Sequence, residues 1–87
     1  MLVLTRRQGE SLRIGNDLKI TVLTIHKNQI KLWVNDREVV TINLQESASI
    51  RDGIKITVAK IDKNEVKLGI SAPNNVTINR EEVPKED

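Results

Sequence analysis

At 87 residues the chain has room for one compact domain, and a domain of that size buries only about 60–65% of its unfolded surface, so neither half is expected to fold alone. Charged residues at 30% and apolar ones at 38% are ordinary for a soluble globular protein, and no apolar run is long enough to span a bilayer. The formal charge of +2 is too small to indicate nucleic acid by itself. The absence of cysteine excludes disulfides, thiolate metal sites and cysteine nucleophiles together.

In chain order, the opening "MLVLTRRQG" reads as an alternating strand that ends in two arginines. It carries no signal-peptide pattern, so the cytoplasm is the expected location. A turn at Gly15-Asn16-Asp17 precedes the set Leu18, Ile20 and Val22, whose apolar phase changes face at Leu23/Ile25. That change predicts a bulge or a strand end buried on both sides. His26 and Lys27-Asn28 form the next turn, with the histidine solvated, and Ile30, Leu32 and Val34 form the next alternating strand. A single histidine leaves no histidine metal cage or Ser-His-Asp triad, and nothing resembles a Gly-rich phosphate loop. Neither an enzyme nor a bound cofactor or metal is expected.

From Glu46 the pattern starts again. Shifted by 36 residues, the segment from Glu10 overlays the segment from Glu46 without a gap, and 17 of 37 aligned positions are identical. Lys19-Ile20-Thr21-Val22 returns as Lys55-Ile56-Thr57-Val58, and Val40-Thr41-Ile42-Asn43 returns as Val76-Thr77-Ile78-Asn79. The second copy has its own turns at Asp52-Gly53 and Lys63-Asn64, strand sets at Ile54/Ile56/Val58 and Val66/Leu68/Ile70, and a phase change at Ala59/Ile61. Pro73 falls between strands, where its missing N–H costs little. Residues 80–83 allow a frayed helical turn stopped by Pro84, and "PKED" reads as a disordered tail. No strand is read before Glu46 to match the one before Glu10, so one N-terminal strand is expected to serve both copies. The organisation expected is a single domain over residues 1–87, with a first copy at 1–45, a second at 46–83 lacking the first strand, and a tail at 84–87.

"MLVLTRRQGESLRIG", the "NQIKL" strand, the Ala72-Pro73 turn and the ending Ile78-Asn79-Arg80-Glu81-Glu82 together resemble the carbon storage regulator family, the CsrA/RsmA translational regulators of bacteria. The resemblance implies a homodimer of five-stranded chains with intertwined strands. Its RNA site lies where the first strand of one subunit meets the fifth strand of the other, and it takes GGA-containing segments, often in hairpin loops of messenger leaders. Here it implies an all-β pseudo-dimer with little or no helix, two subunits joined end to end. One site would combine Leu4, Thr5, Arg6 and Arg7 with Ala72, Pro73, Val76, Ile78, Asn79 and Arg80. The other would set Val40, Ile42, Asn43 and Leu44 against a missing strand, with Asn35-Asp36-Arg37 in place of the Ser71-Ala72-Pro73 turn adding a carboxylate.

For Arg6 and Arg7 the plain reading is edge-strand charge that discourages aggregation. The resemblance favours RNA contact, for which a guanidinium is suited by bidentate pairing and stacking. Leu44 continues the alternation Val40, Ile42, Leu44 and reads as packing. Trp33, the only aromatic, aligns with Gly69; a base platform is one reading, and packing over space left by the lost strand is preferred. The implied function is post-transcriptional regulation by binding GGA elements in messenger RNA through one site per chain, with small regulatory RNA as a further partner and no membrane. The competing reading is a protein-interaction module that antagonises such regulators and has lost RNA binding. A monomer is expected, with a homodimer through an edge strand at residues 39–44 as the alternative.

Overall fold

The computed structural model describes residues 1–81, with side chains through Asn79. The described chain is a succession of nine strands without a helix: β1 (Leu2–Arg7), β2 (Ser11–Ile14), β3 (Leu18–Ile25), β4 (Gln29–Val34), β5 (Glu38–Asn43), β6 (Ser47–Arg51), β7 (Ile54–Ile61), β8 (Glu65–Ser71) and β9 (Ile78–Glu81). The alternating sets supply the inward faces: Leu18, Ile20, Val22, Ile30, Leu32 and Val34 from one copy, and Ile56, Val58, Val66, Leu68 and Ile70 from the other, are all buried in one cluster. Each such side chain contributes about 1.5–3 kcal/mol by leaving water. The phase changes are bulges, since the β3–β4 register slips between Val22 and Thr24 and the β7–β8 register slips between Val58 and Lys60.

All pairing is antiparallel, in a four-stranded sheet of order β1-β8-β7-β6 and a five-stranded sheet of order β5-β4-β3-β2-β9. The two ends of the chain are exchanged. The N-terminal β1 lies against β8 of the second copy, and the C-terminal β9 lies against β2 of the first. The expected intertwined all-β pseudo-dimer is therefore the fold.

One part of the expected layout is corrected. The strand expected to be missing from the second copy is β5. Its register on β4, from Gln29 opposite Asn43 to Val34 opposite Glu38, repeats at the same 36-residue shift the register of β1 on β8, from Glu65 opposite Arg7 to Ile70 opposite Leu2. The turns that follow match as well. The Gly9 and Gln45 N–H groups donate to the Val22 and Val58 carbonyls, both at 2.7 Å, and both residues have positive φ, 90° and 67°. The absent strand is instead the fifth strand of the first copy, which would cover β6 as β9 covers β2. Leu12 and Ile14 under β9 are accordingly buried, while their counterparts Ala48 and Ile50 are half-buried.

The two copies of Val-Thr-Ile-Asn thus occupy different slots, and the preceding turns explain why. Asn35 and Asp36 both have positive φ, and the Arg37 N–H donates to the Val34 carbonyl at 3.0 Å. Asn and Asp tolerate that region, which a tight hairpin needs, so β5 folds straight back on β4. In the second copy Pro73 holds φ near −65°, and the link over residues 72–77 carries the chain across to the other sheet.

Three smaller expectations are also corrected. Arg80 and Glu81 continue β9 opposite Leu12 and Ser11 rather than forming a helical turn, while Val83 and the "PKED" tail lie outside the described residues. Leu44 does pack against the core, half-buried, but from the turn between β5 and β6 rather than by extending the strand toward a missing neighbour. Trp33 does not fill a lost strand's space, because β5 lies beside it: it stands on the outward side of β4 between Thr21 and Val39.

Candidate functional site

Two-residue alternation divides the "LTRR" segment. Leu4 and Arg6 point inward and are each 5% exposed, whereas Thr5 and Arg7 are exposed. A buried guanidinium needs acceptors, and Arg6 finds them at the end of its own strand and the start of the next. Its Nε donates to the Thr5 carbonyl at 3.0 Å and its Nη1 to the Ser11 carbonyl at 2.9 Å. The Glu10 carboxylate lies 3.6 Å from Nε. Arg6 therefore clamps β1 of one sheet to β2 of the other.

Glu10 holds the same corner from below, since its Oε1 also accepts the Arg7 N–H at 2.8 Å. The Arg7 side chain, 68% exposed, reaches across to Glu65 on β8 at 3.5 Å, opposite which it lies in register. An ion pair so exposed is worth at most about 1 kcal/mol, so Arg7 can exchange Glu65 for an external anion at little cost.

β9 arrives at this corner from the other sheet. Ser11, whose carbonyl Arg6 holds, stands opposite Glu81, and Leu12 stands opposite Arg80. Asn79 is exposed, Ile78 is half-buried on the core, and Val76 packs near Gly15, whose N–H donates to the Thr77 carbonyl at 2.7 Å. Gly15 has φ 65°, which lets its N–H extend the β2–β9 ladder past Ile14. Ala72 and Pro73 lie at the far end: the link leaves β8 next to Ile70, which pairs with Leu2, and Pro73 sits over Gly53. The expected residues thus fall along one corner between sheets, Ala72 and Pro73 at one end and Arg6 and Arg7 at the other. Leu4 and Arg6 are inside it rather than on its surface. Glu10, Ser11 and Glu65, absent from the sequence-derived set, complete it; the "RRQGE" spacing was the available signal for Glu10.

The opposite corner is built on the same plan from different chemistry. Ile42 takes the place of Arg6 and is buried, and Asn43 takes the place of Arg7. The cross-strand partner changes with it, Glu65 becoming Gln29, whose Nε2 donates to the Asn43 Oδ1 at 3.1 Å. Asn43 Nδ2 in turn donates to Glu46, the counterpart of Glu10, at 3.0 Å. Both arginines are replaced here, and no described strand lies beyond β6.

The family model described as CsrA, a global regulator protein family, matches the chain twice, over residues 1–46 and over residues 39–87. The overlap, residues 39–46, ends one match and begins the other; it contains nearly all of β5 and the turn after it. No solved structure matches the chain.

Proposed function

The chain belongs to the CsrA family of global regulator proteins, RNA-binding regulators that act after transcription, and we propose that it binds one GGA-containing RNA per chain, at the β1–β9 corner. The observation that carries the reading is the inequality of the two corners. One has Arg6, Arg7 and a fifth strand that carries Asn79 and Arg80; the other has Ile42, Asn43 and no described strand beyond β6.

In this reading Arg7, Thr5 and the exposed part of β9 face the RNA, with Arg80 completing the base-reading set and Arg6 positioning the strand. Phosphate attraction supplies much of the affinity, and hydrogen bonds to base edges in an unstacked loop supply the choice. A well-placed bidentate arginine is worth about 1–3 kcal/mol of discrimination. Occupying a GGA element near a ribosome-binding site would regulate translation or message stability by steric competition. Messenger leaders and small regulatory RNAs carrying such elements are the expected partners, and the chain acts as a monomeric pseudo-dimer in the cytoplasm.

Calorimetric titration with a GGA-loop hairpin, against the same hairpin with a scrambled loop, tests the proposal. Saturation at one RNA per chain is expected; saturation at two, or equal binding of both loops, refutes it. Arg80→Ala is expected to remove most loop-specific binding and Leu44→Ala to leave it nearly intact.

A further inference from the structure

We propose that the outer face of the five-stranded sheet is a second contact surface for single-stranded RNA, on which a nucleotide flanking the element held at the β1–β9 corner stacks on Trp33. The inference rests on the reading given above and extends it to residues outside that corner.

Trp33 is the only aromatic residue of the chain. It lies on the outward side of β4, whose inward residues are Ile30, Leu32 and Val34, and it is half-buried. Its counterpart on the other sheet is Gly69, where an added Cβ would run into the Met1 side chain. Only one of the two equivalent faces therefore presents an indole.

Register connects that indole to the RNA corner. Ser11, Thr21, Trp33 and Val39 stand opposite one another in a single row across β2, β3, β4 and β5. Ser11 is the residue whose carbonyl binds Arg6 and which lies opposite Glu81 at the end of β9. Two strand spacings, about 10 Å, separate Ser11 from Trp33, a short reach for a single strand leaving the corner. Between them Thr21 is half-buried, and its hydroxyl is bonded at 2.7 Å to that of Ser11, which is itself buried.

The chemistry around the indole suits a polyanion. Lys31 is the next outward residue on β4, Lys19 the next on β3, and the outward positions of β3, β4 and β5 include no carboxylate. A base needs a flat apolar face and its phosphates need nearby cations, and these three side chains provide both. The apolar part of the surface is Trp33 with Val39, which is too small for the roughly 1,200 Å² or more that a stable protein interface buries.

The lone tryptophan is its own probe, because the chain has no tyrosine. Its emission is followed while three RNAs are titrated: a GGA-loop hairpin with blunt ends, the same hairpin with single-stranded extensions, and the extension alone at low salt. The extended hairpin is expected to quench Trp33 and to bind about tenfold tighter than the blunt one, the gain of one stacked base. Trp33→Leu should abolish that gain while preserving blunt-hairpin affinity and the salt dependence of binding, and Trp33→Phe should retain most of it. A tenfold gain that persists in Trp33→Leu overturns the inference. So does an emission change that follows protein concentration without RNA, which would mark the face as a contact between copies. If neither hairpin outcompetes a scrambled loop, the GGA reading falls, and quenching by the extension alone then decides the stacking surface separately.

Discussion

Arg6 and Arg7 are neighbours with opposite tasks, because consecutive strand residues face opposite sides of a sheet. Arg6 is enclosed and bound to two backbone carbonyls. Replacing it with alanine is expected to cost about 2–3 kcal/mol in urea unfolding, since those acceptors lose a charged donor in a water-poor site. Arg7→Ala should change stability by less than about 1 kcal/mol. It should instead weaken the GGA hairpin about tenfold and reduce the slope of log affinity against log salt by about 0.7, the loss of one phosphate contact. The alternation that separates the two was already visible in "LVLTRR", where Leu4 marks the inward phase. What could not be read is that the inward arginine would find the Ser11 carbonyl, which depends on the chain crossing between sheets at that point. Gln45 is a second position where one residue decides an outcome. It holds φ 67° where its counterpart is Gly9, so Gln45→Gly should raise stability by about 0.5–1 kcal/mol, relief of the left-handed Cβ clash less the entropy of glycine.

The turn before each Val-Thr-Ile-Asn segment governs a whole strand. Changing Asn35→Ser, Asp36→Ala and Arg37→Pro, the residues of the other copy's turn, should cost about 2–4 kcal/mol, because two left-handed positions lose tolerant residues. The Asn35 Oδ1 that accepts the Lys19 N–H at 2.7 Å is lost as well. Hydrogen exchange should then show β5 losing protection before the rest of the five-stranded sheet. In the unaltered chain the same measurement should separate β2 from β6. The β2 amides are paired on both sides, whereas β6 is the edge of its sheet and bulges between Ser49 and Arg51, a feature that disfavours casual edge pairing. Its amides on the side away from β7 should exchange much faster than their β2 counterparts. The 36-residue repeat made the long strands readable in both copies, but it left the short β2 and β6 unread and put β5 in the wrong slot, and that last miss is instructive. Extending the same shift toward the N-terminus sets Val3-Leu4-Thr5 on Val39-Val40-Thr41, which is the signal that β5 can serve as a first strand.

Because β1 completes the second copy's sheet and β9 the first copy's, neither copy is a separable unit, and both draw on one core. A single cooperative unfolding transition is expected, with a midpoint that does not move over about a hundredfold range of protein concentration; an obligate dimer of separate chains would show a concentration-dependent midpoint. If the chain binds one RNA, as proposed, joining the halves has a cost in binding: a two-site regulator can bridge two elements of one message and gain about 10²–10⁴ in avidity, and a one-site chain forgoes that gain. Strand positions, bulges, turns and the duplication follow from local letters, because alternation, turn residues and repeated words act over a few residues. The slot that β5 occupies does not. Its alternation fits the edge of β4 and the edge of β6 equally, and only the assembled sheets, with a hairpin on one side and a crossover on the other, decide between them. That slot sets Ile42 and Asn43 at the positions that Arg6 and Arg7 hold on the other sheet, and so the two corners are unequal.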